Sequence, residues 1–349
     1  MTDSIPITQS GSDLNERFVL EVVLKTDVGL VRSENQDFGL LSSLRDMHSS
    51  GERLMMVADG MGGHRGGATA SRLAATTVQS EFLAADGNDI AAALGDAFRR
   101  ANAKIFEEAQ ANPDLRGMGT TGSALVIHDG KAHFAHVGDS RIYLVRDGGI
   151  RQLTEDHSLV ASLVREGLLS RSEAEVHPRR NVLQRSIGIS SEVEVDVSDP
   201  IEVKAGDTFL LCSDGLHGMV KENEMKEVAA LPTEEAATEF VRLALKRGAP
   251  DNVTVIVAKV LAKAAVNAAA TNSDERSARS PQGKPKPDNA SNVPARPQKT
   301  VDSAPSAAAQ SRSMIPWILV LLVLLAIGGT VVYYFAFAPV TSSTAQTTS

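Results

Sequence analysis

The chain has a single cysteine, Cys212, in 349 residues, so it can build neither an intramolecular disulfide framework nor a cysteine-based zinc site. A lone thiol fits a reducing compartment. Basic charge is also short. Lys and Arg number 35 against 43 Asp and Glu, a net charge of −8, which argues against a general nucleic-acid binder. Residues 1–18 have no basic start and no apolar core, so no signal peptide is expected there. No internal repeat is visible, and charge is missing altogether from Met314 onward. Apolar residues, by contrast, are plentiful. They make up 42% against 22% charged, enough to bury a core and to set aside the disordered and collagen-like classes.

The uncharged stretch contains 24 mostly apolar residues, 315–338. About 20 helical residues cross ~30 Å of hydrocarbon, and Trp317 with Tyr333 and Tyr334 sit where interfacial aromatics belong. This predicts a transmembrane helix over 315–338, with a short extracytoplasmic tail at 339–349. Residues 262–313 are rich in Ala, Ser, Pro and Asn, a composition that buries too little apolar surface to offset its ordering entropy, so they read as a disordered linker. Eight basic and four acidic residues give that linker +4 and leave −12 on residues 1–261. Lys284, Lys286, Arg296, Lys299 and Arg312 precede the span, and positive residues stay on the cytoplasmic side. The expected topology is a single-pass protein of the inner (plasma) membrane with a cytoplasmic folded domain at 18–261 and a disordered tail at 1–17.

Within that domain, short β-branched runs alternate with turns, and five Asp-Gly pairs punctuate them. Asp129-Gly130 and Asp147-Gly148 each separate two alternating runs, which predicts hairpins. Helical periodicity appears at Ile90, Leu94, Phe98, Ala101 and Ile105, over 68–81, and over 232–247 before Gly248. Meandering strands interrupted by helices predict an α+β domain built on antiparallel sheet.

Asp59-Gly60 and Asp214-Gly215 end apolar strands but are not followed by a returning polar strand. A carboxylate there is costly unless a cation or hydrogen-bond donors meet it. Asp37 leads into another strand, and Asp251-Asn252 opens the last one. Four strand-end aspartates are candidates for one oxygen-rich site for Mg²⁺ or Mn²⁺, although any single Asp-Gly pair ordinarily caps a turn. The glycine-rich run 60–67 lacks the Gly-Lys-Ser/Thr ending of a nucleotide loop. It could cradle phosphate, or let a helix pack close to the strand end.

Taken together, the motifs resemble one family. Thr26-Asp27, Gly29, Arg32 and Asn35-Gln36-Asp37 come first, followed by Val57-Ala58-Asp59-Gly60-Met61-Gly62-Gly63-His64. Met118-Gly119-Thr120-Thr121, His136-Val137-Gly138-Asp139-Ser140-Arg141 and Leu153-Thr154 with Asp156-His157-Ser158 come next. Leu211-Cys212-Ser213-Asp214-Gly215-Leu216 and Asp251-Asn252-Val253-Thr254 complete the set. In this order they are similar to the bacterial metal-dependent serine/threonine protein phosphatases, the type 2C family, over about residues 18–260. The resemblance implies a four-layer α-β-β-α sandwich, two antiparallel sheets with helices outside both. It implies two tightly bound Mn²⁺ or Mg²⁺ ions, with Asp59 bridging, Gly60 offering its carbonyl, Asp214 and Asp251 on the second ion, and Asp37 supporting the cluster. Asp139 would join Asp214 at a weaker third ion. Arg32 would hold the substrate phosphate, and residues 165–191 would form a flap beside the site.

Two positions depart from the eukaryotic pattern. Gln36 stands where an acid is common, and Met61 where a histidine has been proposed as general acid; His64 does not inherit that role. Cys212 lacks the arginine-bearing loop of a cysteine phosphatase and reads as core. The expected activity is hydrolysis of phosphoserine and phosphothreonine in proteins, with phosphorylated proteins and a Ser/Thr protein kinase as partners, no nucleic acid, and a monomeric catalytic domain. An inactive phosphoprotein-binding relative and a hydrolase of small phosphate esters are the competing readings.

Overall fold

The computed structural model of the chain describes residues 18–44, 53–63, 65–85 and 89–262. The expected tail at 1–17, the linker beyond Ala262, the span at 315–338 and the tail at 339–349 lie outside the described residues. Among the described residues no helix is long and apolar enough to cross a membrane.

One antiparallel sheet is ordered β1-β12-β11-β7-β8: β1 (Phe18–Asp27), β12 (Val253–Ala262), β11 (Thr208–Cys212), β7 (Arg141–Arg146) and β8 (Gly149–Gln152). Ala262, assigned to the linker by composition, is instead the last residue of β12 and pairs with Phe18. The second sheet is ordered β10-β6-β5-β3-β2: β10 (Ile201–Glu202), β6 (Lys131–Val137), β5 (Gly122–His128), β3 (Arg53–Met61) and β2 (Asp37–Ser43). Short strands β4 (Gly119–Thr120) and β9 (Asp196–Val197) pair with β3 and β6. The two expected hairpins form. Asp129 and Gly130 have φ of 47° and 68°, and Asp147 and Gly148 have φ of 52° and 73°, the double left-handed turn whose twist matches the flanking strands.

The layering follows from side-chain alternation. Along β3, Leu54, Met56 and Ala58 pack outward with helices α1 (Gly66–Ala84) and α2 (Ile90–Ala111), while Met55 and Val57 point to the other sheet. Along β11, Leu210 and Cys212 pack with α6 (Glu222–Ala229) and α7 (Thr233–Lys246), while Phe209 and Leu211 face inward. The inner layer holds Met55, Val57, Leu125, Ile142, Phe209, Leu211 and Ile256. Each such side chain contributes about 1.5–3 kcal/mol on burial. This is the expected α-β-β-α sandwich. Cys212 is core, as read: burial pushes its thiol up to about 12, out of nucleophilic range.

The stretch 165–191 is the one expected to form a flap beside the site. Its helical part starts earlier, with α3 (Leu159–Arg165) and α4 (Arg171–Val176). Its far end is docked: Ile187 is buried among α2 and β3 residues and exchanges hydrogen bonds of 3.0 and 2.8 Å with Thr120.

Candidate active site

The strands converge their polar ends at one edge of the sandwich. Asp37 opens β2 and is register partner to Asp59 on β3. Residues directly opposite in an antiparallel pair bring their Cβ atoms to about 5 Å, so two carboxylates stand side by side. Asp59 is therefore not at the end of its strand, as expected from sequence, but two residues inside it; β3 runs on through Gly60 and Met61 to pair with β4. From the other sheet, β11 ends at Cys212 and Asp214 opens the short helix α5 (Asp214–His217). Asp251 lies just before β12, and Asp139 in the turn between β6 and β7.

The electrostatics show a shared cluster. Burial first, then the charges of Asp214 and Asp251, push the Asp37 carboxyl up to about 7, against hydrogen bonds from Ser213 and Thr254. Asp59 stands well above the usual carboxylate range because of burial and then the charges of Asp37, Asp214 and Asp139. Burial and then Asp214 push Asp139 up to about 8, and burial and then Asp251 raise Asp214. Asp214 and Asp59 each act on the other's carboxyl, and two neighbouring buried carboxylates tolerate one another with a proton or a cation between them. Asp37 Oδ1 and Asp214 Oδ1 are buried without a protein hydrogen-bond partner.

These orphaned oxygens, with the Gly60 carbonyl beside Asp59, form an all-oxygen donor set that fits Mn²⁺ or Mg²⁺. Among the described residues no three ligating side chains close into a ready-made cage.

Arg32 is the cation at the rim. Its Nη2 donates to Asp251 Oδ2 at 2.7 Å, which raises its pKa further, and its side chain remains 53% exposed. The donors not turned to Asp251 face solvent at the mouth of the cluster.

Supporting residues surround the aspartates: Thr120, Thr121 and Ser213 from the motifs, and His217 just beyond one. Thr121 Oγ1 accepts from Asp59 N at 2.9 Å, Thr121 N donates to Asp59 O at 2.8 Å, and Thr120 Oγ1 donates to the same oxygen at 2.9 Å. Ser213 Oγ donates to Asp37 Oδ2 at 2.7 Å, joining the two sheets at the site. His217, kept neutral because burial and then Arg141 push it down to about 3, donates from Nε2 to Asp139 O at 3.0 Å. The sequence signal was proximity alone: each sits within three residues of a candidate aspartate or in a Thr-Thr pair after glycine.

The glycine run 60–67 has the packing role. A Cβ on Gly60 would collide with the Gly67 carbonyl, and one on Gly67 would meet Gln36 Oε1 at 2.6 Å. Gln36 thus rests its side-chain amide on the start of α1, and its carbonyl accepts from Gly60 N at 3.1 Å and Ser71 Oγ at 2.6 Å. Met61 packs beside Gly119 with Ile189, and His64 lies outside the described residues.

Residues 33–264 match the model of the family described as Protein phosphatase 2C. The serine/threonine protein phosphatase PstP of Mycobacterium tuberculosis is 39% identical over 244 residues, 70% of this chain. The chain spans 45% of that relative's length. The serine/threonine phosphatase stp of Listeria monocytogenes is 38% identical over 239 residues, covering 67% of this chain and 93% of the relative. Among solved structures, the catalytic domain of PstP in complex with two manganese ions is similar at a TM-score of 0.61 and 36% identity, covering 70% of this chain and 99% of that one. The carboxylate cluster, the sandwich that assembles it and these likenesses agree: the chain belongs to the protein phosphatase 2C family.

Proposed function

We propose that the chain is a metal-dependent protein phosphatase that hydrolyses phosphoserine and phosphothreonine. The observation that carries this reading is the convergence of Asp37, Asp59, Asp139 and Asp214 into one mutually repelling cluster with Arg32 at its mouth. Asp59, the Gly60 carbonyl, Asp214 and Asp251 would hold two Mn²⁺ or Mg²⁺ ions, with Asp37 in support and Asp139 at a weaker third. Such ions supply positive charge against the phosphate dianion and lower the pKa of water for in-line attack.

The chain's own residues do the rest. Arg32 offers a planar fork that can grip two phosphate oxygens, which a lysine could not. Thr120 and Thr121 fix the backbone of Asp59 from both sides, and Ser213 fixes Asp37, so the ligands need no reorganisation when substrate arrives. No covalent intermediate is required, and the buried Cys212 takes no part. With Arg32 at an open rim, a phosphorylated side chain carried on a protein can reach it.

The same reading includes membrane tethering. The 24 apolar residues at 315–338 would anchor the domain, and the linker from 263 to 313 would reach roughly 40 Å as a random coil. That leash would concentrate the enzyme near membrane phosphoproteins, a Ser/Thr kinase among them, on the cytoplasmic face. The deciding experiment is phosphate release from a phosphothreonine peptide with Mn²⁺ against an EDTA control. No turnover with any divalent ion would overturn the enzymatic reading. Release of active soluble domain only by protease added from the outer face would overturn the topology.

A further inference from the structure

The loop that carries Arg32 is held from within by Asn35 Nδ2 donating to Thr26 Oγ1 at 2.9 Å and by Asn35 Oδ1 accepting from Asp37 N at 3.1 Å. It runs from the end of β1 to the start of β2, and its tip is solvent-exposed: Leu30 is 65% and Val31 72% exposed. Arg32 itself has a long side chain with about 2 kcal/mol of rotamer entropy to lose. A guanidinium in that setting grips phosphate well only if its backbone is already in place.

One buried side chain ties both ends of the loop to the start of the last strand. Asn252 is 4% exposed. Its Nδ2 donates to Val28 O at 2.9 Å and to Glu34 O at 3.0 Å, and its Oδ1 accepts from Gln36 N at 2.8 Å. An amide carries two donors and one carbonyl acceptor, and all are used here on the two ends of the same loop. Asn252 thus closes the loop's base like a staple. Further bonds add to it: Asp27 Oδ1 accepts from Gly29 N at 2.8 Å, Leu30 N donates to Ala249 O at 2.9 Å, and Arg32 itself reaches Asp251. Gly29, at φ +78°, lets the chain turn against Asp251, where a Cβ would collide with the Asp251 carbonyl. Asn252 is in turn seated by its own backbone: its carbonyl lies so close to Gly215 that a Cβ there would strike it. The staple is therefore referenced to the helix that carries Asp214.

We propose that Asn252 is a positioning residue for phosphate recognition, setting the reach of Arg32 over the carboxylate cluster. Its side chain acts on the loop that carries Arg32; its backbone N also donates to Asp251 Oδ1 at 2.9 Å, a bond that a side-chain substitution leaves in place. This rests on the reading of the cluster as a phosphate-handling metal site. Neither aspartate nor alanine does the same work at that position. Aspartate keeps the acceptor and loses both donors, and alanine loses all three bonds. The freed groups at the loop's base can turn to water, so the loop loosens while the sandwich stays folded.

The test uses full-length protein loaded with Mn²⁺ and four variants: Asn252→Ala, Asn252→Asp, Arg32→Ala and the Arg32→Ala/Asn252→Ala double. Calorimetric titration with inorganic phosphate reads positioning without turnover, and p-nitrophenyl phosphate kinetics read KM and kcat separately. The expected result for Asn252→Ala is a roughly tenfold weaker phosphate affinity and a matching rise in KM, with a smaller fall in kcat. The double variant should be no worse than Arg32→Ala, because the two residues act through one contact. Mn²⁺ affinity, titrated separately, should stay within about twofold of wild type. If Asn252→Ala fails to fold, Asn252→Asp carries the same phosphate and Mn²⁺ measurements. Multiplicative losses in the double variant, unchanged phosphate affinity, or loss of tight Mn²⁺ binding would each overturn the proposal. A wild type that binds phosphate but shows no turnover would instead count against the enzymatic reading and leave the phosphate titrations to decide this one.

Discussion

Removing the metal should make the domain's stability fall as pH rises through neutrality, the reverse of common behaviour for acidic proteins. The perturbation is EDTA. In the metal-free domain the Asp37 carboxyl is pushed up to about 7 and Asp139 up to about 8, each mainly by burial. An acid whose folded pKa lies above its unfolded value near 3.9 favours the folded state fully below that value. It loses this contribution as pH climbs through the folded pKa. Buried histidines act oppositely: His136 is pushed down to about 4 and His217 to about 3, chiefly by burial, so they cost stability below about pH 6.5 and nothing above it. The clean window is therefore pH 6.5 to 8. At about 1.4 kcal/mol per pH unit and group, Asp139 loses about 2 kcal/mol across it and Asp37 less than about 1. For a domain of this size that is a fall in Tm of about 4–8 °C. Thermal melts by circular dichroism in EDTA at pH 6.5, 7.2 and 8.0 would read it, with parallel melts in Mg²⁺. Bound cations neutralise the deprotonated carboxylates, so the fall should vanish with Mg²⁺. A flat or rising Tm in EDTA, or an equal fall with Mg²⁺, would refute the assignment of these carboxylates to one cation site.

Three further outcomes follow from the same geometry. Asp59→Ala and Asp214→Ala should each lower kcat/KM by at least about 10²-fold, because each uncovers the charge the cluster is built to hold; values within a few-fold of wild type would place the site elsewhere. Asp139→Ala should reduce turnover while two tight Mn²⁺ sites persist in calorimetry, and loss of a tight site would move Asp139 into the core cluster. Asp156→Asn should cost about 3–5 kcal/mol in urea unfolding, since Arg141, which donates to both Asp156 oxygens at 2.9 and 3.1 Å, would be left largely buried without its counter-charge. A loss under about 1 kcal/mol there would mean solvent reaches the pair.

Much of this was legible in the residues, and the parts that were not share a cause. The hairpins at Asp129-Gly130 and Asp147-Gly148 could be read because two-residue turns encode their own geometry. The sandwich layers could be read because β3 and β11 alternate between two different apolar faces. The aspartates were visible as costly charges after apolar strands, yet their convergence was beyond spacing arguments. It depends on the register of β2 on β3, which sets Asp37 opposite Asp59, and on the facing of one sheet by the other. Asn252 and Ser213 were invisible as functional residues for the same reason. Their partners lie at Val28, Glu34, Gln36 and Asp37, about two hundred positions away, and a polar side chain carries no local mark of what it will meet. In the stretch 165–191, expected as a flap by resemblance, the anchoring of Ile187 on Thr120 was equally invisible, because it too depends on tertiary packing.

The placement of the site also explains why it can be both costly and stable. Asp37 and Asp59 stand on one sheet, and Asp214 and Asp251 stand beside strands of the other. Ser213 links them directly, donating to Asp37 while its own oxygen accepts from Thr254 N at 3.0 Å on the neighbouring strand. Mutual repulsion among the carboxylates therefore pushes the two sheets apart at this edge. The inner apolar layer from Met55 to Val260 holds them together over the remaining face. A cation shared across the edge would convert the repulsion into attraction, and metal affinity and sheet packing would then draw on one free energy. A substitution deep in that layer, such as Val57→Ala, should therefore weaken Mn²⁺ binding in calorimetry without touching a candidate ligand, and an unchanged affinity would mean that the edge is set independently of the layer.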